Sequence, residues 1–128
     1  MRRHAFLDII LPAGYLAGRD REVICREMGS LFGRDLADSP AILMRQLRAM
    51  SRFDASSRLG KLAGLPTLVL SASQDRIALP QYGRALASAI PGAVYVEVPD
   101  AGHAVTIHAA AAVNDLLSRH VRAAAVTP

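Results

Sequence analysis

Residues 65–73, LPTLVLSAS, carry a short apolar run with no polar alternation, placed directly behind a proline. A strand with one wet face alternates apolar and polar residues. An unbroken run predicts a strand covered on both faces, as in a parallel sheet. Parallel neighbours cannot be joined by a tight turn. They need a crossover of a dozen or more residues, usually helical and right-handed. The following segment, ALPQYGRALASAIPG, meets that need. Tyr82, Ala85, Leu86, Ala89 and Ile90 recur at helical spacing, and Pro91-Gly92 stops the helix. AVYVEV, rich in β-branched and aromatic residues, predicts the second strand. In IHAAAAVNDLLSRHV the residues Ile107, Ala110, Val113 or Asn114, Leu117 and Val121 predict a last helix, with AAAVTP as a frayed tail. The expected class is α/β: two parallel strands, a crossover helix and a C-terminal helix. Leu68, Val69, Leu70 and Val96 are expected to form one core with Leu86, Ile90 and Leu117, with one side of the sheet poorly covered.

The chain divides near Ser56. Residues 1–55 read as helix and turn, residues 56–128 as the α/β portion. Asp20 is placed to cap a helix bearing Val23, Ile24, Met28 and Leu31, which Gly29 and Gly33 are expected to break. In DSPAILMRQLRAM, Ser39 is the expected N-cap and Pro40 the first helical residue. Ile42, Leu43, Leu47 and Met50 share one side of that helix, and Arg45, Arg48 and Arg52 form a solvated face. The opening MRRHAFLDIILPAG imitates a signal peptide, but Asp8 and Pro12 interrupt its apolar run and no small-residue cleavage site follows. A helix or an extended segment is expected there.

Bulk properties narrow the function classes. A chain of 128 residues, 52% apolar and 20% charged, is globular, and its length suits one compact domain or a piece of a larger one. No run of 18 apolar residues occurs, so no membrane span is expected. The single Cys25 cannot form an internal disulfide, which favours a cytoplasmic setting. The net charge of +4 raises nucleic acid as a partner. However, the basic residues are scattered and never interleaved with aromatics, so no nucleic-acid partner is expected.

In open α/β sheets ligands bind beyond the carboxyl ends of the strands. Asp75 follows the first strand there, and His103, in VPDAGHAV, follows the second. If the strands are neighbours, carboxylate and imidazole can meet. A carboxylate on one ring nitrogen fixes the histidine tautomer and stabilises the imidazolium formed when it takes a proton. An ordinary turn Asp and an ordinary turn His are the plainer alternative.

The stretch LPTLVLSASQDRIALPQYGRALASAIPGAVYVEVPDAGH resembles the C-terminal portion of an α/β-hydrolase-fold enzyme. The likeness covers roughly residues 58–122: an acid after one strand, a helix, another strand, then Gly-His. It implies Asp75 as the triad acid and His103 as the base. Residues 1–55 resemble the end of a helical cap. One departure is Ser71, where relatives often have glycine. In this family a serine on a Gly-x-Ser-x-Gly turn precedes the acid. Ser30, Ser39, Ser51, Ser56 and Ser57 lack that glycine frame and a preceding strand. Cys25 sits inside a helical pattern and is expected to be a buried structural residue. His103 and His108 have the wrong spacing for a zinc pair, and His4 and His120 read as surface residues, so no metal is expected.

The resemblance therefore implies the C-terminal part of a serine hydrolase acting on an ester, lactone or similar small carbonyl compound, without a cofactor. The nucleophile would lie in a preceding part of the protein, and the chain alone would be inactive. Cofactor-free peroxidase-like chemistry belongs to the same resemblance. The alternative is a non-enzymatic α/β module that pairs with another chain, or with itself, to complete a sheet.

Overall fold

The computed structural model describes residues 2–33 and 41–126. Helix α1 spans Arg2–Ile10, and Pro12 follows after one intervening residue. A single turn, α2, spans Ala13–Leu16, and α3 spans Arg21–Phe32. Asp20 caps α3 as expected, its carboxylate accepting the Glu22 N–H at 2.8 Å. The helix runs through Gly29 and ends only at Gly33. A single helical glycine costs about 1 kcal/mol, which the buried Ile24, Cys25 and Met28 on the same helix readily offset. Helix α4 spans Ile42–Arg52; the expected cap at Ser39 and Pro40 lies outside the described residues. A 3₁₀ segment follows at Ser56–Leu62.

Strand β1, Leu68–Ala72, and strand β2, Val94–Val98, are parallel neighbours, with Leu68 opposite Val94 and Ala72 opposite Val98. The crossover helix α5, Pro80–Ala89, joins them. It lies close to the sheet because Gly83 has no side chain: a Cβ there would fall 2.0 Å from Ser71 Oγ and 3.3 Å from Tyr95 Cε2. Tyr95 donates its hydroxyl proton to Glu97, which also pairs with Arg84 of α5, so the helix is tied to β2 by a polar link.

The C-terminal helix differs from expectation. It is two pieces, α6 at Val105–His108 and α7 at Ala110–Val126, with Ala109 outside helical geometry between them. That break resets the helical phase. Leu116 packs toward the sheet and Leu117 is exposed. The anticipated frayed tail is helical as far as Val126.

The core also lies elsewhere than expected. Val69 and Ile90 are buried, but Leu68, Leu70 and Val96 are half-buried and Leu86 is exposed. The larger buried cluster is helical: Leu7, Ile10, Leu11, Leu16, Ile24, Cys25 and Met28, joined by Ala104 from the loop after β2. A smaller one, Ala72, Val98 and Ala101, is covered by Val105, Ala109 and Leu116. The open side of the sheet is a cleft of about 400 Å³ along Val69, Ser71, Tyr82 and Leu86. Helix α4 buries none of its residues, and Leu47 and Met50 stand in solvent.

These differences set the expected energetics. Ile24, 1% exposed, fills the helical core, so Ile24→Ala should cost about 2–5 kcal/mol in urea unfolding. Met50→Ala on α4 should stay within about 0.5 kcal/mol. Comparable losses at both positions would show that α4 is packed in solution.

Candidate active site

The two loops at the carboxyl end of the sheet are laced together by their backbones. Ser73 N–H donates to Val98 C=O at 3.0 Å, and Gln74 N–H donates to Ala101 C=O at 2.8 Å. Gln74 also donates its side-chain amide to Asp100 at 3.2 Å. Asp100 has φ +52°, a left-handed conformation that Asp tolerates better than most residues. It turns the chain sharply after Pro99, so that the next residues run back over the loop carrying Asp75.

Asp75 and His103 meet there. The His103 Nδ1 to Asp75 Oδ2 distance is 2.9 Å, and the Asp75 side chain is 8% exposed against 41% for His103. The other carboxylate oxygen accepts the Ile77 N–H at 2.8 Å and the Ala78 N–H at 2.9 Å. Burial by itself raises the Asp75 pKa, but these two amides and the imidazole outweigh it, holding the carboxyl below its ordinary value. An ionised carboxylate only accepts, so His103 Nδ1 must carry the proton it shares. The neutral ring then has a bare Nε2. Among the described residues Nε2 has no hydrogen-bond partner. The arrangement is that of an oriented proton acceptor, open to solvent on one side and anchored on the other.

Among the described residues, two cavities adjoin His103. One is the cleft above β1, which Asp75 also lines. The other, about 270 Å³, is lined by Phe6 and Ile10 of α1, Phe32 of α3, and Ala104, Thr106 and Ile107 after β2. Its walls are apolar apart from the Thr106 hydroxyl and the His103 ring.

The N-terminal helices also shape the histidine loop. Ala104 N–H donates to Ile10 C=O at 2.8 Å. A Cβ on Gly102 would sit 2.9 Å from Ile10 O and 3.0 Å from Pro12 N, both backbone atoms, so only glycine fits beside them. On the other side, Gly102 N–H donates to His108 Nε2 at 3.2 Å. These supports were not anticipated from the sequence. Asp75 followed by an amide-bearing loop signals a carboxylate that accepts backbone N–H groups two and three residues on. Nothing local signals that Ile10 or His108 would reach Gly102 and Ala104.

The remaining candidates lie apart. Cys25 is buried in α3. His4 contacts Glu22 at 2.7 Å, and His120 is half-buried, its Nε2 3.3 Å from the Pro66 carbonyl oxygen. Among the described residues no three His, Cys, Asp or Glu side chains gather at metal-binding distance, and no helix is long and apolar enough to cross a membrane.

Comparison with known proteins places the fold. A Klebsiella pneumoniae protein provisionally named carbamate hydrolase RutD is 37% identical over 75 residues, covering 59% of this chain and 28% of that protein. A solved structure of a Mycobacterium tuberculosis protein, provisionally named non-heme bromoperoxidase BpoC, superposes with a TM-score of 0.73 at 24% identity. That superposition covers 95% of this chain and 44% of that one. A variant of the meta-cleavage product hydrolase CumD superposes with a TM-score of 0.64 at 19% identity, covering 95% and 45%. At these identities the two structures speak to fold alone. The chain thus spans less than half the length of each relative it matches. The model of the alpha/beta hydrolase family matches residues 2–116, nearly the whole chain, including both site loops and the helices that brace them. The chain belongs to the alpha/beta hydrolase family.

Proposed function

We propose that this chain carries the acid–base half of a serine hydrolase, with Asp75 as the orienting acid and His103 as the base. The observation that carries this reading is the 2.9 Å contact between Asp75 and His103 Nδ1, which leaves Nε2 bare. In the completed enzyme a serine outside these residues attacks the substrate carbonyl. His103 takes its proton, then returns it to the leaving group, while Asp75 holds the tautomer and stabilises the imidazolium. Residues 1–55 act as the end of a cap and residues 56–128 as part of the catalytic core. The rest of the core pairs with the open sheet and covers the exposed apolar side of α4. A cytoplasmic setting accords with the single cysteine.

The substrate class follows from the cavity beside His103. An ester, lactone or carbamate with a compact apolar group suits walls made of Phe6, Ile10, Phe32 and Ile107. A dry cavity of ~150 Å³ already accepts a benzene ring, so about 270 Å³ takes a ring with a short substituent. The name of the Klebsiella relative favours the carbamate among these carbonyl groups.

Catalysis provides the direct check. A segment bearing a strand, a Gly-x-Ser-x-Gly turn and a helix is supplied, fused or as a second chain, and hydrolysis of aryl and alkyl esters is measured. Activity should appear; His103→Ala should nearly abolish it, and Asp75→Asn should reduce turnover by on the order of 10⁴. Cys25→Ala should leave it close to unchanged. Stoichiometric labelling of the isolated chain by a serine-directed phosphonate would place the nucleophile within these residues and overturn the reading.

The Asp75 contacts also predict an acid-dependent stability. Its folded pKa is lowered from 3.8, so the ionised form is favoured in the folded state. That contribution is present above pH 3.8 and is lost as pH falls through the lower folded value. Asp75→Asn should be less stable than the parent by about 1–3 kcal/mol at neutral pH. The gap should narrow below pH 3.8 in urea titrations repeated across pH. A gap that is constant with pH would show that the carboxylate charge contributes nothing.

A further inference from the structure

The backbone is pinned on both sides of His103. On the C-terminal side Ala104 N–H is held by Ile10 C=O, a bond no ordinary pH change can touch. On the N-terminal side Gly102 N–H is held by His108 Nε2 at 3.2 Å. A backbone amide has only a proton to give, so this nitrogen must be bare and His108 neutral, with its own proton on Nδ1.

The surroundings of His108 favour that form. Burial pushes its pKa below the ordinary histidine value. Its ring packs against Tyr15 of α2, centroids 5.3 Å apart, and the Arg19 guanidinium sits 4.1 Å from the centroid of that same tyrosine ring. Tyr15 and Arg19 are the titratable and charged groups described on this side. On the histidine loop the contact is the Gly102 amide, again a donor. Among the described residues no carboxylate hydrogen-bonds to His108. His108 also closes the single turn of α6, its N–H donating to Ala104 C=O at 3.1 Å, so its backbone is held beside the loop that its ring contacts.

We propose that His108 is a positioning residue for His103: neutral, it holds the Gly102 amide and so presents His103 to Asp75, and on protonation it releases that hold. Protonation turns Nε2 from acceptor into donor, facing another donor at Gly102. The bond is lost, and the loop keeps only the Ile10 anchor. The inference deepens the reading of Asp75 and His103 as an acid–base pair. Its test reads the hydrogen bond and the imidazole tautomer, not hydrolysis, so the two readings fail separately.

The test uses the full ¹⁵N-labelled chain across mildly acidic pH. The Gly102 amide shift and the ring resonances of His103 and His108 are followed together. The Gly102 amide should move with the His108 midpoint, which should lie below 6.5. His108→Gln, whose side-chain oxygen still accepts from Gly102, should abolish that midpoint and keep the Nδ1–H tautomer of His103. His108→Ala should lose the Nδ1–H preference at every pH. A Gly102 amide that does not titrate in the parent chain, or that follows His103, overturns the proposal. So does a His108→Gln variant in which the Gly102 titration persists. Should His108→Ala fail to fold, the parent and His108→Gln decide between these outcomes.

Discussion

The hydrogen bond from Gln74 N–H to Ala101 C=O, with its neighbour from Ser73 to Val98, carries the site. Both prolong the contact between β1 and β2 past the strand ends, where loops of this kind would otherwise separate. Because the lacing is backbone to backbone, it sets the distance between the two loops whatever side chains they carry. The amides of Ile77 and Ala78 then aim the Asp75 carboxylate, and the turn at Asp100, with the hold of Ile10 on Ala104, brings His103 over it. Parallel pairing of five residues on each strand is the base on which a carboxylate and an imidazole are brought together.

Much of this was legible in the sequence. An unbroken apolar run, a helix-length crossover and a β-branched run predict two parallel strands, and parallel strands that are neighbours place Asp75 and His103 at one end. Local rules also located the Asp20 cap and the stop at Pro91-Gly92. What escaped was non-local or set by phase. The break at Ala109 is invisible in a stretch of alanines, yet it decides whether Leu116 or Leu117 faces the sheet. Apolarity in a strand does not by itself give burial, because a sheet this short leaves Leu68 and Leu70 half covered. The hold of Ile10 on Ala104 depends on a carbonyl, which has no signature in the residue type.

The two buried clusters divide the work unevenly. The helical cluster is the larger, and it meets the candidate site at Ala104 and at Ile10, which lines the cavity beside His103. The smaller cluster under the strand ends, Ala72, Val98 and Ala101, uses small side chains, which lets the two loops approach closely enough to share hydrogen bonds. Both clusters are deeply buried, Ala101 as fully as Leu7. The small one brings the two loops together, and the large one steadies the helices that lean on them.

Gly102 lies against the N-terminal segment at Ile10 O, Pro12 N and Pro12 Cδ, where a Cβ would have no room. The histidine loop is thus seated on the path of the chain between Ile10 and Pro12. Phe6 lies earlier on the same segment, on the wall of the cavity beside His103. One short helix and the turn after it therefore both seat the loop and line the space next to the imidazole, so a change in their path alters both together.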